Sequence, residues 1–241
     1  MSFLPTQTSA DEAQRSADHA HQRSQIALLP IGAFEQHGDH LPLTTDTLIA
    51  SVIAKELANS YHLFLLPPIS IACSHEHAAF AGTVSISAST LCSMIEDIQE
   101  SLSTQGVDKL VLINAHGGNY VLGNIVQQAN VGGPSMSLYP TSSDWGAARQ
   151  SAGMETNGHE DMHGGELETS ILLHAHPEVV RNSYVSADHI ANDRPELLVK
   201  GMAKYTTTGI IGRPSLATAE KGKLALEALV YEFLDHMDGL H

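Results

Sequence analysis

Glu35 and His37 stand two residues apart in the stretch Ile31-Gly-Ala-Phe-Glu-Gln-His-Gly-Asp-His-Leu-Pro-Leu-Thr-Thr-Asp46. In an extended segment, residues i and i+2 point to the same side. A carboxylate and an imidazole on one side of a strand end make half of a divalent-metal site. Gly38 and Pro42 then turn the chain, and Asp46 returns nine residues after His37. A returning carboxylate can bridge two ions, because each oxygen carries lone pairs of its own. The stretch therefore predicts the floor of a two-metal site. The plainer alternative is a set of polar loop residues capping the helix that follows. It is weakened because the same residue types recur twice downstream, in Ile113-Asn-Ala-His-Gly-Gly-Asn119 and in His163-Gly-Gly-Glu-Leu-Glu-Thr-Ser170.

The set that follows puts Glu35 and His116 on one ion, His37 on the other, and Asp46 between them. Oxygen and imidazole donors suit Zn first, with Mn or Fe(II) as alternatives, and no thiolate is offered. Two ions roughly 3.5 Å apart can share a hydroxide and polarise a carbonyl, which is what amide hydrolysis needs.

The three motifs together resemble the creatininase family of metal-dependent amidohydrolases. The long first motif, Glu-Gln-His-Gly-x-His-Leu-Pro-Leu-x-Thr-Asp, carries most of the resemblance, which runs from about Ile26 to about Val180. It implies hydrolysis of a C–N amide bond outside ordinary peptides: a cyclic amide, a formamide or a small peptide-like substrate. It also implies two divalent ions per chain and a homo-oligomer, commonly a hexamer. Family members with a His-Tyr-Glu-Asn second motif draw a metal ligand from that Glu. Here the motif is His116-Gly117-Gly118-Asn119, so the carboxylate must come from elsewhere. Glu168 matches the family's Glu-Thr-Ser element and is the expected fifth ligand. Glu166 is the alternative, or a substrate-facing acid. On a helix the two would face nearly opposite sides, so only one is expected to reach the ions. His163 matches the family's proton donor to the leaving nitrogen, a role for which an imidazole pKa near neutrality is suited.

His75, Glu76 and His77 are expected to line the pocket entrance, and His40 and Asn119 to be scaffold. Where creatininase carries a tryptophan, four residues before the matched histidine, this chain has His159. The single tryptophan, Trp145, is expected to take part of that lid role. Glu155, Glu160 and Asp161 would make a polar mouth. The Gly-Gly second motif is similar to formamide deformylases and to the peptidase that trims the mycofactocin precursor. Creatinine hydrolysis in the narrow sense, an inactive metal-binding scaffold, and an anion-binding helix start at His116–Asn119 are the competing readings. No phosphate-loop lysine supports the last.

The elements that must position these residues follow from hydropathy. Ile26–Ile31 is continuously apolar, as a strand buried on both faces should be. Strands are also expected over His62–Ile69, Lys109–Ile113 and Ser135–Tyr139. Helices are expected over Thr47–Asn59, Thr90–Gln105, from Asn119 to about Val131, Glu166–His174 and Ser215–Met237. The repeating strand–loop–helix order predicts an α/β fold: a single three-layer α/β/α domain with a mainly parallel sheet, over residues 25–241. Ligands in such sheets sit beyond the carboxyl ends of the strands, where the first two motifs fall. Residues 1–24 read as a mobile arm, 141–162 as a long irregular lid, and 183–209 carries no clear pattern.

Bulk composition narrows the partners. Of 241 residues, 12 are Lys or Arg and 27 are Asp or Glu, a formal net charge of −15. That disfavours nucleic-acid phosphates and anionic membranes and leaves a small-molecule amide as the expected partner. The two cysteines, Cys73 and Cys92, form no metal or redox spacing, which is compatible with a reducing cytosol. The polar start, Met1 to Arg23, lacks the apolar core of a signal peptide, so a cytoplasmic location is expected.

Overall fold

The computed structural model describes residues 24–240, so the expected arm over 1–24 lies almost wholly outside the described residues. Four strands form one sheet: β1 (Ile26–Ile31), β2 (Phe64–Leu65), β3 (Lys109–Asn114) and β4 (Met136–Tyr139). Their order is β2-β1-β3-β4 and every pairing is parallel. β1 and β3 are central and apolar on both faces, so helices must cover both sides.

Side-chain alternation divides the core accordingly. Leu28, Val111, Ile113 and Tyr139 face one side. Helices α1 (Thr45–Tyr61), α4 (Ser142–Ser151), α5 (Glu166–Ala175) and α7 (Ala219–Asp238) belong to that layer. Ala27, Leu29, Ile31, Leu110 and Leu112 face the other side, against α2 (Ala88–Ser103) and α3 (Val121–Ala129). A seventh, short helix, α6 (Leu197–Lys200), lies in the late segment. The result is the expected three-layer α/β/α domain. Each fully buried Leu or Ile of the central strands contributes roughly 1.5–3 kcal/mol relative to exposure.

Local signals fix the helices that matter. The Ser87 side chain accepts from Thr90 N–H to start α2, and Thr218 does the same for Lys221 N–H at α7. At Gly222, a Cβ would lie 1.9 Å from the Ser170 carbonyl oxygen, so glycine is what lets α7 press against α5.

Two expectations need correction. The strand over His62–Ile69 shrinks to Phe64–Leu65, followed by one isolated bridge between Ile31 and Ile69. Pro67 and Pro68 supply no N–H to the ladder. The stretch 141–162 is not one irregular lid, because α4 occupies its first half. The Asp144 carboxylate accepts from both the N–H and the hydroxyl of Thr141, each at 2.6 Å. Arg149 then pairs with Asp161 at 2.9 Å. The unpatterned 183–209 segment is built from 3-10 turns, α6 and one isolated bridge, from His189 to Gly212. No helix among the described residues is long and apolar enough to cross a membrane.

Candidate active site

The site lies beyond the carboxyl ends of β1 and β3. The chain leaving β1 stays extended enough to bring Glu35 and His37 into one cluster with His163. Asp46 sits in the first turn of α1, and His116 on the loop between β3 and α3. Glu168 sits in the first turn of α5. Four overlapping groups of candidate ligands form among the described residues, and two of them, Glu35, Asp46 and His116, and His37, Asp46 and Glu168, meet at one carboxylate. Asp46 belongs to both. Its Oδ1 lies 3.0 Å from His37 Nε2 and its Oδ2 lies 3.3 Å from His116 Nδ1. Glu35 Oε1 is 3.3 Å from His116 Nδ1, and Glu168 Oε2 is 4.0 Å from His37 Nε2.

Each imidazole is oriented from behind. The outward nitrogen is bonded to a backbone carbonyl: His37 Nδ1 to Glu35 O at 3.1 Å, His116 Nε2 to Cys73 O at 2.7 Å, and His163 Nε2 to Gln36 O at 2.6 Å. Donation there fixes the tautomer and leaves the inward lone pair free, as ligating histidines require. Sequence reasoning missed Gln36 as a participant. Its Nε2 bonds His77 Nδ1 at 2.9 Å and Gly209 O at 3.0 Å, tying the late segment to the site. Its place between Glu35 and His37 was the available signal. Ile211 holds His163 by an antiparallel bridge. His40 bonds Gly164 O and Thr169, and Asn119 bonds the backbone of Cys73 and Gly32.

The electrostatics favour a cation. Glu35 Oε1 and Oε2, His37 Nε2 and Asp46 Oδ2 are buried and have no hydrogen-bond partner among the described residues. Uncompensated buried carboxylates are costly, and a bound ion removes that cost. Burial pulls His37 down, but Asp46, Glu168 and Glu35 outweigh it and push its pKa up to about 9. Burial opposes protonation of His116 too, yet Glu35 and Asp46 hold it well above the ordinary value. Burial drives the Glu168 carboxyl up to about 7. Burial and then the His37 and His77 charges hold His163 well below its ordinary value, as a neutral ring. That ring lies between two others, with centroids 4.1 Å from His37 and 4.3 Å from His77.

Other expected site residues are placed as follows. His77 is buried, its Nε2 3.4 Å from Glu35 Oε1. Glu76 reaches His116 Nε2 at 3.4 Å, and His75 is exposed and bonds Ser85. Glu166 is turned away from the ligand groups. It is buried among Lys221 Nζ at 2.5 Å, the Thr156 hydroxyl, and the N–H groups of Glu155 and Thr156. With those partners it is neither ligand nor substrate-facing acid, which corrects that alternative. Trp145 is half-buried and packs from α4 against the core layer that contains α7. His159 is exposed and bonds Asn192 O and Arg194. Asp161 is not part of a mouth. It is buried, and its carboxylate accepts from the first N–H groups of α5.

A parallel sheet covered on both faces, with carboxylates and imidazoles gathered past its strand ends, defines the class: an α/β enzyme with the donor set of an amidohydrolase. The creatininase family model, described as creatinine amidohydrolase, matches residues 10–237. The mycofactocin precursor peptide peptidase of Mycobacterium ulcerans is 36% identical over 216 residues, 84% of this chain and 80% of that protein. The creatinine amidohydrolase of Pseudomonas putida is 26% identical over 228 residues, 87% of each chain. A solved creatininase mutant of Zn–Zn type superposes with a TM-score of 0.76 at 24% identity, covering 91% of this chain and 92% of that one. The chain belongs to the creatininase family, and it is a hydrolase.

Proposed function

We propose that this protein is a metal-dependent amidohydrolase acting on a specialised C–N amide bond: a cyclic amide, a formamide or a small peptide-like substrate. The observation that carries the reading is Asp46, whose two oxygens serve two separate ligand groups in a pocket of buried atoms without hydrogen-bond partners. Glu35 and His116 would hold one divalent ion, His37 and Glu168 the other, and Asp46 both. Zinc suits these donors best, with manganese or iron as alternatives. When bound, such ions supply Lewis acidity toward a carbonyl and lower the pKa of water.

The remaining chemistry belongs to the chain. His163 is neutral, with Nε2–H engaged by Gln36 O and Nδ1 3.6 Å from Glu35 Oε1. Nδ1 is therefore the atom that takes a proton at the ligand cluster and passes it to the leaving nitrogen. The tilted contacts with the His37 and His77 rings on either side hold the His163 ring in place. Similarity to a peptidase and to a creatinine amidohydrolase supports amide hydrolysis and leaves the substrate to the pocket. Creatinine is the second reading, favoured by the Pseudomonas relative. The packing of half-buried Trp145 against the core layer counts against it.

The test is a panel of formamide, lactam and small-peptide substrates, assayed with the metal-replete and the chelated protein. Hydrolysis of one class, lost on chelation and restored by Zn or Mn, is expected. Hydrolysis indifferent to chelation would overturn the metal-dependent reading.

A further inference from the structure

A Cβ built on Gly118 would lie 1.9 Å from Glu76 Oε1 and 2.4 Å from His116 Nε2. Position 118 is glycine because a carboxylate from another part of the chain already fills that space. Glu76 arrives there from the 3-10 turn His75–His77. Its Oε1 is 3.4 Å from His116 Nε2, but that nitrogen already bonds Cys73 O at 2.7 Å. The carboxylate is thus not needed to orient the ring.

Glu76 instead stands where the ligand cluster meets a cleft. One of its oxygens lies within 4.8 Å of ligand atoms of Glu35 and His77. It also lines a cleft of about 800 Å³ whose walls include Cys73, Gly118, Tyr120, Leu198 and Val199. Tyr120, Leu198 and Val199 are exposed, so the walls offer apolar surface that a bound molecule would cover. The other charged group on the lining is Lys200, exposed at the end of α6, with the His75 ring beside Glu76. An apolar cleft with a carboxylate on its wall beside the ligand cluster selects a molecule with an apolar body and a cationic head.

We propose that Glu76 is the specificity-determining carboxylate of this site, binding a protonated amine on a substrate whose apolar body lies in the cleft. This rests on the amidohydrolase reading above and names the substrate class: an amine-bearing amide with an apolar side chain.

The experiment is calorimetric titration of the Zn-loaded protein with 2-phenylethylamine and with 2-phenylethanol, which share a body and differ in the ammonium group. The wild type should bind the amine at least about tenfold more tightly than the alcohol. Glu76→Gln should erase that preference while keeping the alcohol affinity and the metal content. Lys200→Ala should keep the preference. Equal or undetectable binding of both probes by the wild type overturns the proposal, as does a preference that survives Glu76→Gln. Loss of metal from Glu76→Gln also overturns it, because the residue would then be positioning His116. Binding is read without turnover, so this result and a failure to hydrolyse amides are separate findings.

Discussion

Buried Glu166 and partly buried Lys221 form an ion pair, Oε1 to Nζ 2.5 Å, between the first turns of α5 and α7, while Glu168, two residues on, turns toward His37. One helical turn thus sends one carboxylate to the scaffold and the other to the cluster.

Removing the scaffold carboxylate should cost stability and spare the metals. Glu166→Ala leaves partly buried Lys221 to Leu216 O and Glu155, a loss of roughly 1.5–3 kcal/mol, the worth of a hydrogen bond to a charged group. Burial alone would raise the Glu166 carboxyl, but Lys221, Thr156 and the N–H of Glu155 hold it below its ordinary value of 4.5. A depressed carboxyl stabilises the fold above its unfolded pKa and loses that contribution as pH falls through the folded value. Urea unfolding of the wild type should therefore weaken below pH 4.5 more steeply than that of Glu166→Gln. Parallel pH profiles would show that the pair contributes nothing.

The fold was legible wherever burial is written as pattern. β1 is an unbroken apolar run, and β3 carries one over its four central residues, Leu110 to Ile113. The Glu35–His37 spacing and the returning Asp46 were readable because extended backbone has a period of two. Helix α4 was not, because Ser142-Ser-Asp-Trp-Gly-Ala-Ala-Arg-Gln-Ser151 has little apolar periodicity. Its support comes from Asp144 at its start and from the Arg149–Asp161 pair across a turn. The separate fates of Glu166 and Glu168 depend on Lys221, far along the chain, which local spacing cannot report. The same holds for Glu76, whose place beside Gly118 is a tertiary contact.

His163→Ala should lower kcat by about 10²–10⁴-fold, the usual worth of general acid–base catalysis. KM and metal content should change little, because the ring sits between His37 and His77 without being one of the groups shared through Asp46. Metal loss in this variant, seen by elemental analysis, would instead make His163 a ligand.

Creatinine should be a poor substrate. A flat ring is held best between aromatic faces, worth about 0.5–1.5 kcal/mol beyond area burial. Trp145 packs half-buried against the core layer, and His159 is tied to the 192–194 segment. Turnover of creatinine by Zn- or Mn-loaded protein on the order of 10 per second, a typical enzyme rate, would refute this.

Light scattering should give a homo-oligomer at micromolar concentration. Val131, Val185 and Ile190 are exposed at 87%, 60% and 64%, apolar surface that an interface would cover. A monomer would remove this expectation.

The central claim is that Asp46 joins two ion sites, and elemental analysis of purified, metal-saturated protein tests it most directly. The wild type should hold two divalent ions per chain. Glu35→Gln should mainly weaken one of them. Asp46→Ala, which removes the oxygens facing both His37 and His116, should lose both. Two ions per chain retained by Asp46→Ala would contradict the account.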